Sequence, residues 1–222
     1  MTITAPTFLD LEAWPRRATF DFYRSFDKPY FNVCTRLDVS RLKRAVADSG
    51  VGSIALANYF LAVRLANEVT PFRYRLEAGC VRIHDAVHGS TTVLRDDESL
   101  GFARLEYASD FAAFTSLATS AINAARLPGA PFEPTTDKTD VIHLTTLPWI
   151  HFSSFSHARN WGQEDSIPKF ALGRIEAEGS RLWLPLSVEV HHALMDGLHV
   201  GRFIELFEAA LQDPQPWLTN RR

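Results

Sequence analysis

The stretch RLWLPLSVEVHH at 181–192 alternates apolar and polar residues over the length of a long strand, and it restricts the fold more than any other segment. Leu182, Leu184, Leu186, Val188 and Val190 share one face of an extended chain, while Ser187, Glu189 and His191 share the other. A period of two kept up this far requires a sheet with one face against an apolar core. The same alternation places His192 next on the apolar face and His191 on the polar side. A neutral imidazole buried at a strand end has one nitrogen free to accept a proton if the other is tied down, which is what a general base requires. Its competing role is that of a strand-end histidine satisfied by a carbonyl.

Asp196 and Gly197 follow, ahead of Leu198, Val200, Phe203, Ile204, Phe207 and Leu211, whose spacing predicts a helix over about 198–212. Asp196 therefore reads as a helix N-cap. Its carboxylate has a second possible use, holding a buried cation from Arg16 or Arg17 in WPRRATF and so fixing the turn that presents His192. Breaking a buried pair of that kind costs about 3–5 kcal/mol.

Elsewhere, YFNVCTRLDV at 30–39 alternates like a strand, and SRLKRAVADSG at 40–50 predicts a short helix with Ser40 as cap and Gly50 as terminator. The segment 53–69 predicts a strong helix closed by Pro71. Two strands around a Gly turn and a third strand in STTVL are expected next, then a helix within 107–126 and a polar, Pro-rich loop. Segments 141–155, 169–179 and 181–192 are the remaining strands. With no repeat, low-complexity stretch or long linker, residues 1–222 are expected to form one α+β domain.

The sequence is 46% hydrophobic, carries a formal net charge of −3 and has two cysteines. That charge gives no reason to expect nucleic acid or an anionic membrane as partner. Cys34 and Cys80 lack nearby Cys or His at metal spacing, so neither a disulfide framework nor a metal site is expected. No leader and no long apolar span is evident, and the expected compartment is the cytoplasm.

LPLSVEVHHALMDGLHVGRFIELF resembles the His-His-x-x-x-Asp-Gly signature and flanks of the trimeric, type A chloramphenicol acetyltransferases. LEAWPRRATFDFY, TTLPWIHFSSF and RLWLPLSVEV match segments of that family in the same order, so the resemblance covers nearly the whole chain. Condensation domains of peptide synthetases and dihydrolipoyl acyltransferase cores share the signature, but the former need about twice this length and the latter replace the first His by Asp. The resemblance implies a two-layer fold, a mixed β-sheet packed with helices. It implies direct transfer from acetyl-CoA, a co-substrate with no permanently bound cofactor beside it, to a hydroxyl of chloramphenicol. His192 would be the general base. Arg16 would pair with Asp196, next to Gly197, as scaffolding. Thr145 falls where the family has a serine that donates to the tetrahedral oxyanion; its other reading is an ordinary strand threonine. Tyr23, Phe102, Phe132 and Phe155 match aromatics that enclose the acceptor, and Arg174 stands in for a lysine near the CoA phosphate. A homotrimer with active sites between subunits is implied.

The sequence departs from the family at Ala171, where a threonine orders a water, at His157, where the pocket residue is apolar, and at Pro29, where a cysteine is common. Three readings follow: acetylation of chloramphenicol, the same reaction on another hydroxyl or amine acceptor, and a non-catalytic small-molecule binder on the same fold.

Overall fold

The computed structural model describes residues 6–134, 138–159 and 165–219. Elements run in the order β1 (Thr7–Phe8), α1 (Arg17–Tyr23), β2 (Tyr30–Asp38), α2 (Ser40–Ser49), α3 (Ile54–Glu68), a 3₁₀ turn (Thr70–Arg73), β3 (Tyr74–Glu77) and β4 (Cys80–Ile83). They continue with β5 (His88–Leu94), β6 (Leu100–Leu105), α4 (Phe111–Arg126), β7 (Val141–Thr146), β8 (Lys169–Leu172), β9 (Glu176–Glu178), β10 (Arg181–His191), α5 (Gly197–Gln212) and α6 (Gln215–Leu218).

The large sheet has the order β2-β10-β8-β7-β5-β6, with β9 on the early part of β10. β7 is parallel to both β8 and β5, and the remaining pairs are antiparallel, so the sheet is mixed as expected. The even residues Leu184, Leu186, Val188 and Val190 are 0–2% exposed and join Phe170, Leu172, Ile142 and Leu144 beneath α2, α3, α4 and α5. β1, β4 and β3 form a smaller sheet, and a second apolar cluster joins it to α1 and to Ala193 and Leu194.

The predicted elements differ from the observed ones where a backbone group is missing or crowded. The strand expected over 141–155 ends at Thr146: Leu147 donates to Leu172 O (2.8 Å), and Pro148, which has no N–H, cannot continue the ladder. The strand expected over 169–179 divides into β8 and β9 at Gly173, where a Cβ would lie 3.0 Å from Ile150 O, Phe152 Cε1 and Pro185 Cγ. Ser40 is the first helical residue rather than the cap of α2. Its hydroxyl donates to Asp38 Oδ1 (2.5 Å) and accepts the Leu182 N–H (2.8 Å), tying α2 to β10. Gly50 ends α2 with φ +64°, as expected, and Ser53 caps α3 through the Leu56 N–H. β6, which pairs with β5 at the sheet's far edge, was not anticipated from the sequence.

Gly101 on β6 permits the close approach of α4: a Cβ there would sit 2.5 Å from Ala125 O. Gly201 inside α5 has nothing within 4 Å of such a Cβ. Gly101→Ala is therefore expected to destabilise the protein by about 1–3 kcal/mol, and Gly201→Ala to stabilise it by up to about 1 kcal/mol. Urea midpoints moving in opposite directions check the pair; a Gly101→Ala midpoint equal to wild type contradicts the packing of α4 on β6.

Candidate active site

β10 ends at His191, one residue earlier than expected, but the chain keeps its course long enough for His192 N–H to donate to Pro29 O (2.7 Å). The His192 ring consequently stays on the side of Phe31, the β2 partner of Val190. It stacks on Tyr23 with centroids 3.7 Å apart and an interplanar angle of 9°, and meets Phe31 at 4.7 Å. Its Nδ1 is buried with no hydrogen-bond partner among the described residues. Phe31 was missed from the sequence, although its parity on β2 put it within reach.

His191 points to the other face, as alternation required, but that face is buried as well as polar. His191 is 5% exposed, its Nδ1 accepts the Ala193 N–H (3.3 Å), and burial pushes its pKa down to about 4. It is a satisfied, neutral histidine.

The turn after His192 is held from both sides. Ala193, Leu194 and Met195 are at most 1% exposed. Arg16 reaches the turn from the start of α1, donating from Nε to Asp196 Oδ2 (3.2 Å), from Nη1 to Ala193 O (3.2 Å) and from Nη2 to His192 O (3.4 Å). Asp196 meanwhile caps α5 by accepting the Leu198 N–H (3.1 Å). The two uses of Asp196 read from the sequence thus coexist, one on each carboxylate oxygen. His199 completes the cap, its Nδ1 accepting the Asp196 N–H at 3.1 Å. This residue was also missed: it occupies the third helical position, where a capping box ordinarily has Glu or Gln. Gly197 opens the helix beside it.

The other predicted site residues fall into separate groups within one chain. Phe102 and Phe132 meet at 5.1 Å and line a cleft of about 800 Å³ with Ala121, Ala125 and Pro131. Phe155 lies between Phe152 (5.6 Å) and His157 (4.8 Å). Arg174 donates to Trp149 O (3.1 Å) and pairs with Glu176, at the end of the sheet opposite His192. Thr145 faces the polar side in a row with Ala171, Ser187 and Cys34, while its neighbour Thr146 bonds the Tyr59 hydroxyl (2.6 Å). Ser187 precedes His192 by five residues and Thr145 lies two strands away, so the two side chains are separated by about 17 Å along the strands and about 10 Å across them. Phe102 is four strands from β10, about 19 Å. Among the described residues, no group of three or more His, Cys, Asp or Glu side chains is placed to hold a metal ion.

The model of the family described as chloramphenicol acetyltransferase matches residues 5–208. The chain belongs to that family. It is thereby an acyltransferase. Chloramphenicol acetyltransferase of Streptomyces acrimycini is 30% identical over 218 residues, covering 97% of this chain and 98% of the relative. Chloramphenicol acetyltransferase 2 of Escherichia coli is 29% identical over 204 residues, 91% of this chain and 95% of the relative. Among solved structures, a chloramphenicol acetyltransferase shares the fold with a TM-score of 0.86 at 24% identity, covering 93% of this chain and 99% of that one. The dihydrolipoamide acetyltransferase of Azotobacter vinelandii shares it more loosely, at 0.65 and 17%, over 89% of this chain and 87% of that one.

Partial burial opposes ionisation of Asp196, but His199, Arg16 and the Leu198 N–H outweigh it and hold the carboxyl below its ordinary 3.8. A depressed folded-state pKa means the carboxylate stabilises the fold above about pH 4, and that contribution is lost as the pH falls through the folded value. The Asp196 side chain is 35% exposed, so the pair is worth less than a fully buried one. Asp196→Asn is expected to cost about 1–2 kcal/mol at pH 7, with the gap from wild type narrowing below pH 4 in urea titrations. A gap independent of pH contradicts the pairing.

Proposed function

We propose that the protein is an acetyl-CoA-dependent O-acetyltransferase acting on a primary or secondary hydroxyl of chloramphenicol, with His192 as its general base. The observation that carries this reading is the His192 ring itself, clamped flat on Tyr23 at the end of β10 with Nδ1 buried. Nε2 is then the nitrogen for the acceptor, with Nδ1 carrying the ring proton although, among the described residues, no acceptor holds it there. Nε2 takes the hydroxyl proton as the oxygen attacks the thioester carbonyl of acetyl-CoA. The Thr145 hydroxyl donates to the resulting oxyanion, a contact typically worth about 10²–10³ in rate. Collapse breaks the C–S bond, the proton passes from His192 to the departing sulfur, and the acetyl ester and free CoA leave. Arg16, Asp196 and Gly197 touch neither substrate; they hold the turn.

Tyr23, Phe102, Phe132, Phe155 and His157 are the proposed acceptor pocket and Arg174 the proposed contact to CoA phosphate. Distance supports a site shared between chains. Thr145 is too far from the His192 of its own chain to serve the same tetrahedral carbon, and Phe102 stands at the opposite sheet edge. A homotrimer in which one chain gives His192 with Tyr23 stacked on it, and its neighbour gives Thr145, Phe102, Phe132 and Phe155, resolves both separations. The proposed organisation is one domain, in the cytoplasm where acetyl-CoA is made; among the described residues no single helix is long and apolar enough to cross a membrane.

The second reading keeps this chemistry with another acceptor and is favoured by the polar His157 beside Phe155 and by Ala171 in place of a hydroxyl residue. Thiol release from acetyl-CoA with chloramphenicol and other hydroxylated or aminated antibiotics separates the two, and silence with measurable ligand binding marks a binder. Within the first reading, His192→Ala is expected to lower turnover by about 10²–10⁴ while His191→Ala retains most of it. The reverse order contradicts the assignment of the base.

A further inference from the structure

The neighbourhood of Phe155 contains a hydrogen-bonding atom that the described residues leave unused. His157 Nε2 is buried and has no hydrogen-bond partner among the described residues, while its ring stands edge-on to Phe155 at 4.8 Å. A buried polar atom without a partner costs free energy, and such atoms in a folded protein call for a water or a ligand. Burial pushes the His157 pKa down to about 4, so the ring is a neutral imidazole at physiological pH.

The charged groups around this ring are Glu189, Lys169, Arg159 and Asp165, two anions and two cations. They neutralise one another. Arg159 Nε donates to Glu189 Oε1 (2.8 Å) and its Nη1 to Asp165 Oδ2 (2.9 Å), while Lys169 Nζ pairs with Asp165 Oδ2 (2.8 Å). Arg159 is further fixed over the Tyr30 ring at 3.9 Å. Among the described residues no net charge is left over to attract an ionic substituent. Arg159 Nη2, also buried without a hydrogen bond, lies 2.6 Å from Glu189 Oε1 as an ion pair, whereas His157 Nε2, a neutral imidazole nitrogen against an aromatic wall, has neither kind of partner among the described residues, which suits a neutral group that donates or accepts a hydrogen bond.

We propose that His157 sets acceptor specificity by hydrogen-bonding a neutral hydroxyl substituent on the part of the acceptor that lies against Phe155. This rests on the acceptor-pocket reading given above. An acceptor that presents only an apolar surface or a carboxylate there leaves Nε2 unpaired, and is bound more weakly for that reason. Because the ring is neutral well above pH 4, the preference is the same at pH 6 and pH 8.

The test uses the full-length protein and four acceptors: chloramphenicol, its derivative with hydroxymethyl replacing nitro, its derivative with hydroxyacetyl replacing dichloroacetyl, and its para-carboxylate analogue. Wild type is expected to favour one of the two hydroxyl derivatives over chloramphenicol by roughly tenfold in kcat/KM, expressed mainly in KM. The carboxylate is expected to be the poorest. His157→Leu is expected to reverse the order, gaining on chloramphenicol while losing on the hydroxyl derivative, and His157→Asn to keep part of the wild-type order. Equilibrium binding by calorimetry follows the same ranking. An unchanged order in His157→Leu, or a uniform loss on every acceptor, overturns the proposal while leaving acetyl transfer to chloramphenicol standing. Wild type inert toward all four, with no acceptor-dependent thiol release, overturns both.

Discussion

β10 is hydrogen-bonded on both edges, to β2 over Trp183–His191 and to β8 over Leu186–Glu189, and both faces of its later half are buried. Every feature of the site is referred to this strand. Its even residues anchor the helical layer, its odd residues build the polar layer, and its end delivers two consecutive histidines to two different environments. A register slip of one residue relative to β2 would exchange those environments. The turn beyond it has no such ladder, and Arg16 supplies the substitute: three donors to two carbonyls and one carboxylate, in a turn whose apolar side is closed by Ala193 and Leu194. Rigid placement of the His192 ring comes from this combination of strand, turn and guanidinium rather than from any property of the imidazole alone.

Features with a short sequence period or a local cap were legible before the fold was known. The parity of β10, the cap at Asp196 and the stop at Gly50 all depend on residues within one turn or one strand. The breaks at Thr146 and Gly173 were not, although Pro148 and Gly173 stood in plain view, because a strand pattern continues through a residue whose effect is to crowd or omit a ladder partner. The polar layer was invisible for a different reason. Glu189 meets Arg159 thirty positions earlier, and His191 is neutral because that layer is buried. Neither pairing leaves a periodic trace. Tyr23 was named through the family's pattern only as a pocket aromatic, and its stack on His192 was not foreseen, since residues 23 and 192 are joined by no local rule.

The fold also explains why the site residues named from the sequence do not converge within one chain. In a single sheet, strands lie about 4.8 Å apart and residues about 3.4 Å along, so Thr145 and Phe102 are fixed at distances from His192 that no rotamer can close. Two complementary half-sites on opposite parts of one chain are what a closed ring of identical subunits requires, since each interface is heterologous and the same two patches meet at every contact. Tyr23 and Phe31 lie against the His192 of their own chain.

Mixed assembly measures this directly. Chains carrying His192→Ala and chains carrying Thr145→Val, each nearly inactive alone, are unfolded together in equal amounts and refolded. If each site takes its base from one chain and its oxyanion donor from the next, one half times one half, or about a quarter, of the sites in randomly mixed trimers regain both residues, and thiol release returns to about a quarter of the wild-type rate. If mixed trimers form, shown by mass spectrometry of differently tagged chains, and the rate stays at the sum of the two variants, both residues act within one chain and the shared site is wrong.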